Sequence, residues 1–341
     1  IEGITMPITK HNFTVRRVED LADTMRAAFR IAQSGRKGPV LVDIPKDVTA
    51  AVCEFTPKKP EPIRTVTTFN EEQVKWAAEI INGAQRPLVY FGGGVRSAAS
   101  CQPLRDLLKK AEIPATYTLM AAGVVPYGDP MNIGMVGMHG CYTSNRAVAD
   151  CDVLIAVGAR FSDRVALNPK TFAKNATIIQ IDIDASEVGK LLMPQVGLTA
   201  DASQALRALM PLMKPRDRNA WLARVDARKA THGLRFDRED DILSPYGIIR
   251  HVAKLVGDDA VIATDVGQHQ MRVAQAYPMN RPRQWLTSGG LGTMGFGLPA
   301  AIGAALERRG GMAVCFTGDG SLLMNIQEMA TAAETGANVK I

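Results

Sequence analysis

The sequence predicts an α/β fold of parallel sheets flanked by helices, and three observations predict it. Short Val- and Ile-rich runs recur along the 341 residues, each ends in Gly, Asp or Pro, and amphipathic helical stretches separate them. Runs of this kind read as parallel strands buried on both faces, with functional loops at their carboxyl ends. A hydrophobic content of 46% against 22% charged residues adds a globular chain with room for two or more domains.

In chain order the expected strands are "GPVLVDIP" (38–45), "RPLVYFGGG" (86–94), "CDVLIAVGARF" (151–161), "ATIIQIDID" (176–184), "DAVIATDVG" (259–267) and "MAVCFTGDG" (312–320). A helix is expected over 70–84, where Val74, Ala77, Ala78 and Ile81 share one face. Two stretches read as connections: 54–68, rich in Pro and charge, and 213–241, long and polar with helical potential in its middle. They divide the chain into residues 1–53, a central domain over 60–212, a linker over 213–243 and a last piece over 244–341. The first piece, with one strand and a helix, buries too little to form a core and reads as the tail of a larger domain. The chain begins with Ile1 rather than Met and stops soon after a helix, so both end pieces are expected to be truncated.

Charge and cysteine usage exclude several classes. The net charge of +6 comes from scattered Lys and Arg, not from a basic stripe, which argues against nucleic acid. Cys53, Cys101, Cys141, Cys151 and Cys315 form no CxxC pair, and an odd count favours reduced thiols in the cytoplasm. No apolar window is long enough to span a bilayer, and the first residues do not form a secretory leader.

Three motif groups carry chemistry. "TDVGQHQM" (264–271) ends one strand with Gly267, Gln268 and His269, polar groups able to bind a phosphate at a sheet edge or simply to form a polar loop. "LTSGGLGTMGFGLPAAIGAAL" (286–306) runs from dense glycine into an Ala-rich helix, which suits either an anion cradle or close helix packing. "VCFTGDGSLLMN" (314–325) ends a strand on Asp319 between Gly318 and Gly320, followed by Ser321. The Asp offers hard oxygen ligands for Mg2+, and a tight structural turn would look the same. Leu322, Ile326, Met329 and Ala330 are expected to face inward on the helix that follows.

The order and spacing of the three groups resemble the diphosphate-binding domain of thiamine diphosphate enzymes. With "MPITKHNF" (6–13), "SGRKGPVLVDIPKDV" (34–48), "GMVGMHG" (134–140) and "GARFSDR" (158–164), the chain resembles the acetohydroxyacid synthase (acetolactate synthase) catalytic large-subunit family over nearly its whole length. The resemblance implies a thiamine diphosphate-enzyme architecture with a central Rossmann-like FAD-binding domain, and the cofactors thiamine diphosphate, Mg2+ and FAD. It implies decarboxylation of pyruvate and transfer of the hydroxyethyl group to a second 2-oxo acid, in branched-chain amino acid synthesis. It also implies a homo-oligomer, with a small regulatory subunit as a further partner.

By the same resemblance Gln268 and His269 contact the diphosphate, Asp319 binds the metal, Gly320 and Ser321 line the phosphate site with Gly292, and Met294 props the cofactor in its bent form. Lys46 matches a lysine near the active-site entrance. Flavin contacts map to Arg36, Gly92, Gly93, Gly94, Thr118, Leu119, Met138, His139, Gly158, Arg160, Asp163, Arg164, Asp182, Ile183 and Asp201. Read from the residues alone, a triglycine after a strand and an acid ending a later strand suit a nucleotide, while Asp182 also suits a satisfied turn acid. Three positions depart from the family pattern: Ser162 stands where Asp is usual, Arg272 where a large aromatic is common, and Lys37 where Pro follows Arg. The family's catalytic glutamate is expected before Ile1 and its second metal-binding Asn after Ile341. Other flavin-containing relatives, of glyoxylate carboligase or pyruvate oxidase type, and a non-catalytic flavin-binding remnant are the alternative readings.

Overall fold

The computed structural model describes residues 1–59, 61–63, 69–308 and 310–341, arranged as two compact units, Ile1–Thr68 and Phe69–Ile341. Of the expected 54–68 connection, residues 60 and 64–68 lie outside the described residues.

The first unit runs α1 (Glu2–Thr5), β1 (His11–Thr14), α2 (Val18–Gln33), β2 (Val40–Asp43) and α3 (Lys46–Ala50), with β1 and β2 parallel and His11 opposite Val40. It holds one strand and two short helices more than the sequence predicts. β1 is the polar segment HNFT, which carries no apolar run and forms because β2 offers it a ladder. α2 carries Glu19 and Asp20 in its first turn and Arg30 in its last, each at the end where the helix dipole favours that charge. Among the described residues of this unit, Val15, Ala28 and Val48 are the hydrophobic side chains that are buried.

The second unit opens with α4 (Glu71–Gly83) on the helical pattern of 70–84. Asn70 accepts the Gln73 N–H at 2.8 Å while the Gln73 side chain accepts the Asn70 N–H at 3.2 Å, a capping box that fixes where the helix starts. Val74, Ala77, Ala78 and Ile81 are its buried face. There follow β3 (Pro87–Phe91), α5 (Ala98–Ala111), β4 (Ala115–Tyr117), β5 (Asn132–Met135), α6 (Tyr142–Asp150), β6 (Val153–Val157), β7 (Thr177–Asp182), β8 (Val196–Thr199) and α7 (Ala202–Leu209). These strands form one parallel sheet in the order β5-β4-β3-β6-β7-β8. All five residues of β3 and of β6 are buried, as central strands covered on both faces require.

The polar stretch over 213–241 contains α8 (Asn219–His232), which is packed onto this sheet. Trp221 and Val225, one turn apart, are buried, and the Trp221 indole N–H donates to the Pro87 carbonyl at 3.0 Å. Arg218, 2% exposed, donates to the carbonyls of Ile81 and Ala111, satisfying the carboxyl ends of α4 and α5.

The chain then forms α9 (Pro245–Val256), β9 (Val261–Thr264), α10 (Gln268–Ala276), β10 (Trp285–Thr287), α11 (Gly297–Glu307), β11 (Ala313–Phe316), α12 (Asp319–Met324), α13 (Glu328–Thr335) and β12 (Val339–Lys340). The second sheet is also parallel, in the order β10-β9-β11-β12. The single helix expected after Ser321 is two, broken at Asn325, whose φ of −137° and ψ of 32° leave the helical region. The break overturns the expected inward face: Leu322 packs against the core, but Ile326 is 42% and Met329 48% exposed, and Ala330 is exposed. No helix among the described residues is long and apolar enough to cross a membrane.

Candidate functional site

In each of the two large sheets the strand order reverses once, between β9 and β11 in one and between β3 and β6 in the other. The diverging connections leave a crevice at the carboxyl ends of the strands, where open α/β sheets bind ligands. The 264–271 and 314–325 motifs leave β9 and β11 at the first reversal, and the triglycine 92–94 leaves β3 at the second.

At the β9/β11 reversal the chain leaves β9 through Asp265, Val266 and Gly267. Gly267 has φ 151° and ψ −166°, a conformation open in practice only to glycine. The ring of His269 lies between the two turns: a Cβ on Gly267 would sit 2.9 Å from its Cε1, and one on Gly318 3.3 Å from the same atom. Its Nε2 is buried and has no hydrogen-bond partner among the described residues. Burial lowers the imidazole pKa below its ordinary value, with the nearby Asp265 pulling the other way. Gln268 is exposed at the first turn of α10, and its Oε1 accepts from Arg272 Nη2 at 2.9 Å. Arg272, where the family commonly has a large aromatic, lies 5.8 Å from the centre of the Tyr246 ring, so a hydrogen bond and a cation–π contact offset its charge.

On the β11 side Asp319 is exposed and, among the described residues, makes no ion pair, while Ser321 is buried beside it. Met294 reaches this turn: its Cε lies 3.3 Å from where a Gly320 Cβ would stand. Gly292, at φ +67°, is exposed on the same loop. Among the described residues no group of three or more His, Cys, Asp or Glu is placed to hold a metal, so an ion at Asp319 would need neutral or ligand-borne oxygens as well. Two side chains were missed by sequence reasoning. Asp265, fully buried, accepts the Gly297 N–H at 3.0 Å and the Thr317 hydroxyl at 2.7 Å. Gln270 donates to Thr287 Oγ1 at 2.7 Å, tying α10 to β10. The signal for Asp265 was present, since an acid directly after an apolar run needs buried partners.

At the β3/β6 reversal the turns after the two strands pack backbone against backbone. Gly94 N–H donates to the Gly158 carbonyl at 3.0 Å, and Gly92 N–H to Val157 at 3.1 Å. A Cβ on Gly92 would lie 2.5 Å from Gly158 O, and one on Gly94 2.7 Å from Gly158 Cα. The glycines therefore serve mutual close approach at the mouth of the crevice, with Gly93 half-buried between them. Thr118 and Leu119 follow β4 into the same region, Thr118 N–H donating to Phe91 O at 3.0 Å. The Met138 N–H donates to Arg164 O at 2.9 Å, which brings the 137–139 and 158–164 loops together. Met138, His139, Arg160, Asp163 and Arg164 are all exposed there. Asp163 pairs with Arg164 at 3.2 Å, the Arg160 carbonyl accepts from Tyr90 OH at 2.7 Å, and the His139 carbonyl from Gln275 Nε2 at 3.0 Å.

The two acids proposed to face a nucleotide have local bonds. Asp182, at the end of β7 and followed by half-buried Ile183, accepts the Asp184 N–H at 3.0 Å. Asp201 caps α7 by accepting the Ser203 N–H at 2.9 Å. The Ser162 carbonyl closes a turn by accepting from Val165 and Ala166 at 3.0 and 2.7 Å. Arg36 and Lys46 belong to the first unit, where both are exposed; the Arg36 carbonyl accepts from Lys10 Nζ at 3.1 Å, and Lys46 begins α3.

Comparison with known proteins adds the following. The family description "Thiamine pyrophosphate enzyme, central domain" matches residues 74–209, and "Thiamine pyrophosphate enzyme, C-terminal TPP binding domain" matches 265–341, together more than half of the chain. The chain is 51% identical over 340 residues to acetolactate synthase isozyme 1 large subunit of Escherichia coli (strain K12), covering 99% of this chain and 60% of that protein. It is 42% identical to the isozyme 2 large subunit of the same organism, covering 99% and 61%. It is 41% identical to acetolactate synthase 1, chloroplastic, of Nicotiana tabacum, covering 100% and 52%. The chain thus spans between half and two thirds of the length of these relatives.

Proposed function

The chain belongs to the thiamine pyrophosphate enzyme family, and from that membership we propose that it is the cofactor-binding portion of an acetolactate synthase large subunit. The proposed activity of the whole enzyme is decarboxylation of pyruvate and transfer of the hydroxyethyl unit to a second 2-oxo acid, pyruvate or 2-oxobutyrate. Thiamine pyrophosphate, when bound, supplies the electron sink that decarboxylation needs. The chain's own part is to hold and orient it.

The single observation that carries this reading is the His269 Nε2, buried between two glycine turns at a strand-order reversal and without a partner among the described residues. A buried polar atom left unpaired is costly, and a ligand oxygen would satisfy it. In this reading His269 and Gln268 contact the diphosphate, and Gly292, Gly320 and Ser321 line its site. Asp319 carries Mg2+, which neutralises the diphosphate charge. Met294, 42% exposed beside Gly320, gives the apolar support that orients the cofactor rings.

The β3/β6 reversal is the proposed FAD site, in a Rossmann-like central domain over 60–212. Its strand order, numbered from β3, is the 3-2-1-4-5-6 order of dinucleotide-binding sheets, and its close-packed glycines keep side chains out of the crevice mouth. Thr118, Leu119, Met138, His139, Arg160, Asp163, Arg164 and Ile183 are its proposed contacts, with Asp182 and Asp201 contributing through the turns they brace; Arg36 is proposed as a flavin contact from the family resemblance alone. Lys46 is proposed at the substrate entrance. Residues 1–53 are read as part of a pyrimidine-binding domain, 213–243 as the connection and 244–341 as part of a diphosphate-binding domain. The intact enzyme is proposed to be a cytoplasmic homo-oligomer with a small regulatory subunit.

Calorimetric titration with thiamine pyrophosphate and Mg2+ tests the first site, and flavin fluorescence during FAD titration tests the second. Saturable binding is expected at both, and Asp319→Ala should weaken Mg2+-dependent cofactor binding by about 10–100-fold. An Asp319→Ala chain with unchanged affinity would reduce the GDG turn to a structural role, and no saturable flavin signal would overturn the FAD reading.

A further inference from the structure

The two segments assigned to the thiamine pyrophosphate site, the glycine loop over 289–297 and the turn over 317–320, come from different strand connections. Four hydrogen bonds hold them in place. Asp265 accepts from Gly297 N–H at 3.0 Å with one carboxyl oxygen and from Thr317 Oγ1 at 2.7 Å with the other, so one side chain grips both segments. Its own N–H donates to Phe316 O at 3.1 Å, which sets its backbone against the end of β11. From the far side, Asn325 Nδ2 donates to the Gly295 carbonyl at 2.7 Å.

The packing leaves no slack around these bonds. A Cβ on Gly297 would lie 2.7 Å from Asp265 Oδ2, and one on Gly295, at φ +83°, would lie 2.7 Å from Asn325 Nδ2. Asp265 is fully buried, and Thr317 is half-buried. The other bonds of the loop are to the residues just before it: Gly289 N–H donates to Thr287 O at 3.0 Å, Gly292 N–H to Ser288 O at 3.2 Å and Thr293 N–H to Ser288 Oγ at 2.9 Å. Those bonds shape the loop without fixing where it sits. Met294 directly precedes the two gripped points, Gly295 and Gly297, and its Cε meets Gly320.

We infer that Asp265 and Asn325 are positioning residues that clamp the glycine loop to the β11–α12 turn, so that Met294 and Asp319 keep a fixed separation whether or not a ligand is bound. The inference rests on the reading of Met294 and Asp319 given above for its functional meaning, but the clamp itself is a property of the free chain. A site assembled from two connections is only as well ordered as the bonds between them, and a pre-set separation saves the ordering cost at binding. The break at Asn325 follows from the same role: its side chain leaves the helical path to reach Gly295.

Amide hydrogen exchange read by mass spectrometry on the whole chain, without cofactor, tests the clamp. Asp265→Ala should speed exchange of peptides covering 289–297 and 317–325 by about ten- to thirtyfold, as for one or two lost hydrogen bonds, and leave β3 and β6 unchanged. Asp265→Asn should restore slow exchange, because its amide oxygen can still accept from Gly297 and its NH2 can donate to the Thr317 hydroxyl. Asn325→Ala, away from the buried carboxyl, should loosen the glycine loop alone. If Asp265→Ala does not fold, Asp265→Asn and Asn325→Ala carry the test, with slow exchange expected in the first and fast loop exchange in the second. Uniform acceleration over 261–341, an unchanged glycine loop, or an Asp265→Asn chain as loose as Asp265→Ala would each overturn the inference. Thiamine pyrophosphate titration of the parent chain separates the two readings: absence of binding counts against the cofactor site and leaves the exchange result standing on its own.

Discussion

Replacing Gly158 by Ala tests whether the crevice at the β3/β6 reversal depends on backbone contact. Gly158 has φ +55°, and an added Cβ would lie 2.7 Å from Gly94 Cα and 3.0 Å from Gly94 C. The left-handed conformation costs a residue with a Cβ about 1–2 kcal/mol. Overlap with backbone that cannot rotate away adds about 1–3 kcal/mol. The combined loss of roughly 2–5 kcal/mol should lower the melting temperature by roughly 4–20 °C, given about 2–4 °C per kcal/mol for a cooperative unit of this size. Circular dichroism melts of the parent and the variant measure it. Gly128→Ala is the control, since nothing lies within 4 Å of the added carbon and its φ is not left-handed; it should be neutral within about 0.5 kcal/mol. A Gly158→Ala chain that melts within about 1 °C of the parent would mean that the turns move apart freely and that close approach is not what the glycines provide.

Gly303, exposed in the middle of α11 with nothing within 4 Å of its added carbon, should behave in the opposite way: Gly303→Ala is expected to stabilise by about 0.5–1 kcal/mol in urea unfolding. Asp150, its side chain 11% exposed, faces Arg228, Arg224 and Arg146. Burial raises its pKa, but the Arg228 hydrogen bond and the three positive charges outweigh this and leave it lowered. A carboxylate with a lowered folded-state pKa stabilises above its unfolded value of about 4 and loses that contribution as pH falls through the folded value. Asp150→Asn should therefore cost about 1–3 kcal/mol at pH 7, and urea unfolding should find the gap to the parent narrowing below about pH 4; an equal gap at both ends would refute the ion-pair account. Arg272→Ala removes a half-buried cation–π contact and the Gln268 bond, and chemical denaturation should register a loss of about 0.5–2 kcal/mol.

The α/β class, six of the strands, the start and buried face of α4, and the two glycine-rich motif groups were legible in the sequence because each rests on local periodicity or local turn chemistry. What escaped were strands of two to four residues, such as HNFT and NIGM, which have too little apolar content to announce themselves and exist because a neighbouring strand completes their hydrogen bonds. α8 was read as part of a connection because its helix is mostly polar, and Trp221 with Val225 suffices to seat it once a sheet is there to receive them. The helix break at Asn325 was invisible for the same reason: its partner, the Gly295 carbonyl, lies 30 residues away.

The glycines mark the boundary most plainly. By itself the sequence determined that tight turns follow β3, β6, β9 and β11, since no other residue supplies that backbone freedom. Which turn leaves room for a ligand and which is filled by another part of the chain was decided only in three dimensions. Gly92 and Gly94 stand against Gly158, Gly289 against Met120, Gly123 against the Arg281 carbonyl, and Gly303 against open space. A missing side chain looks identical in every case along the sequence; what occupies the space it vacates is set by strand order, and strand order is a property of pairings between segments that the chain brings together only on folding.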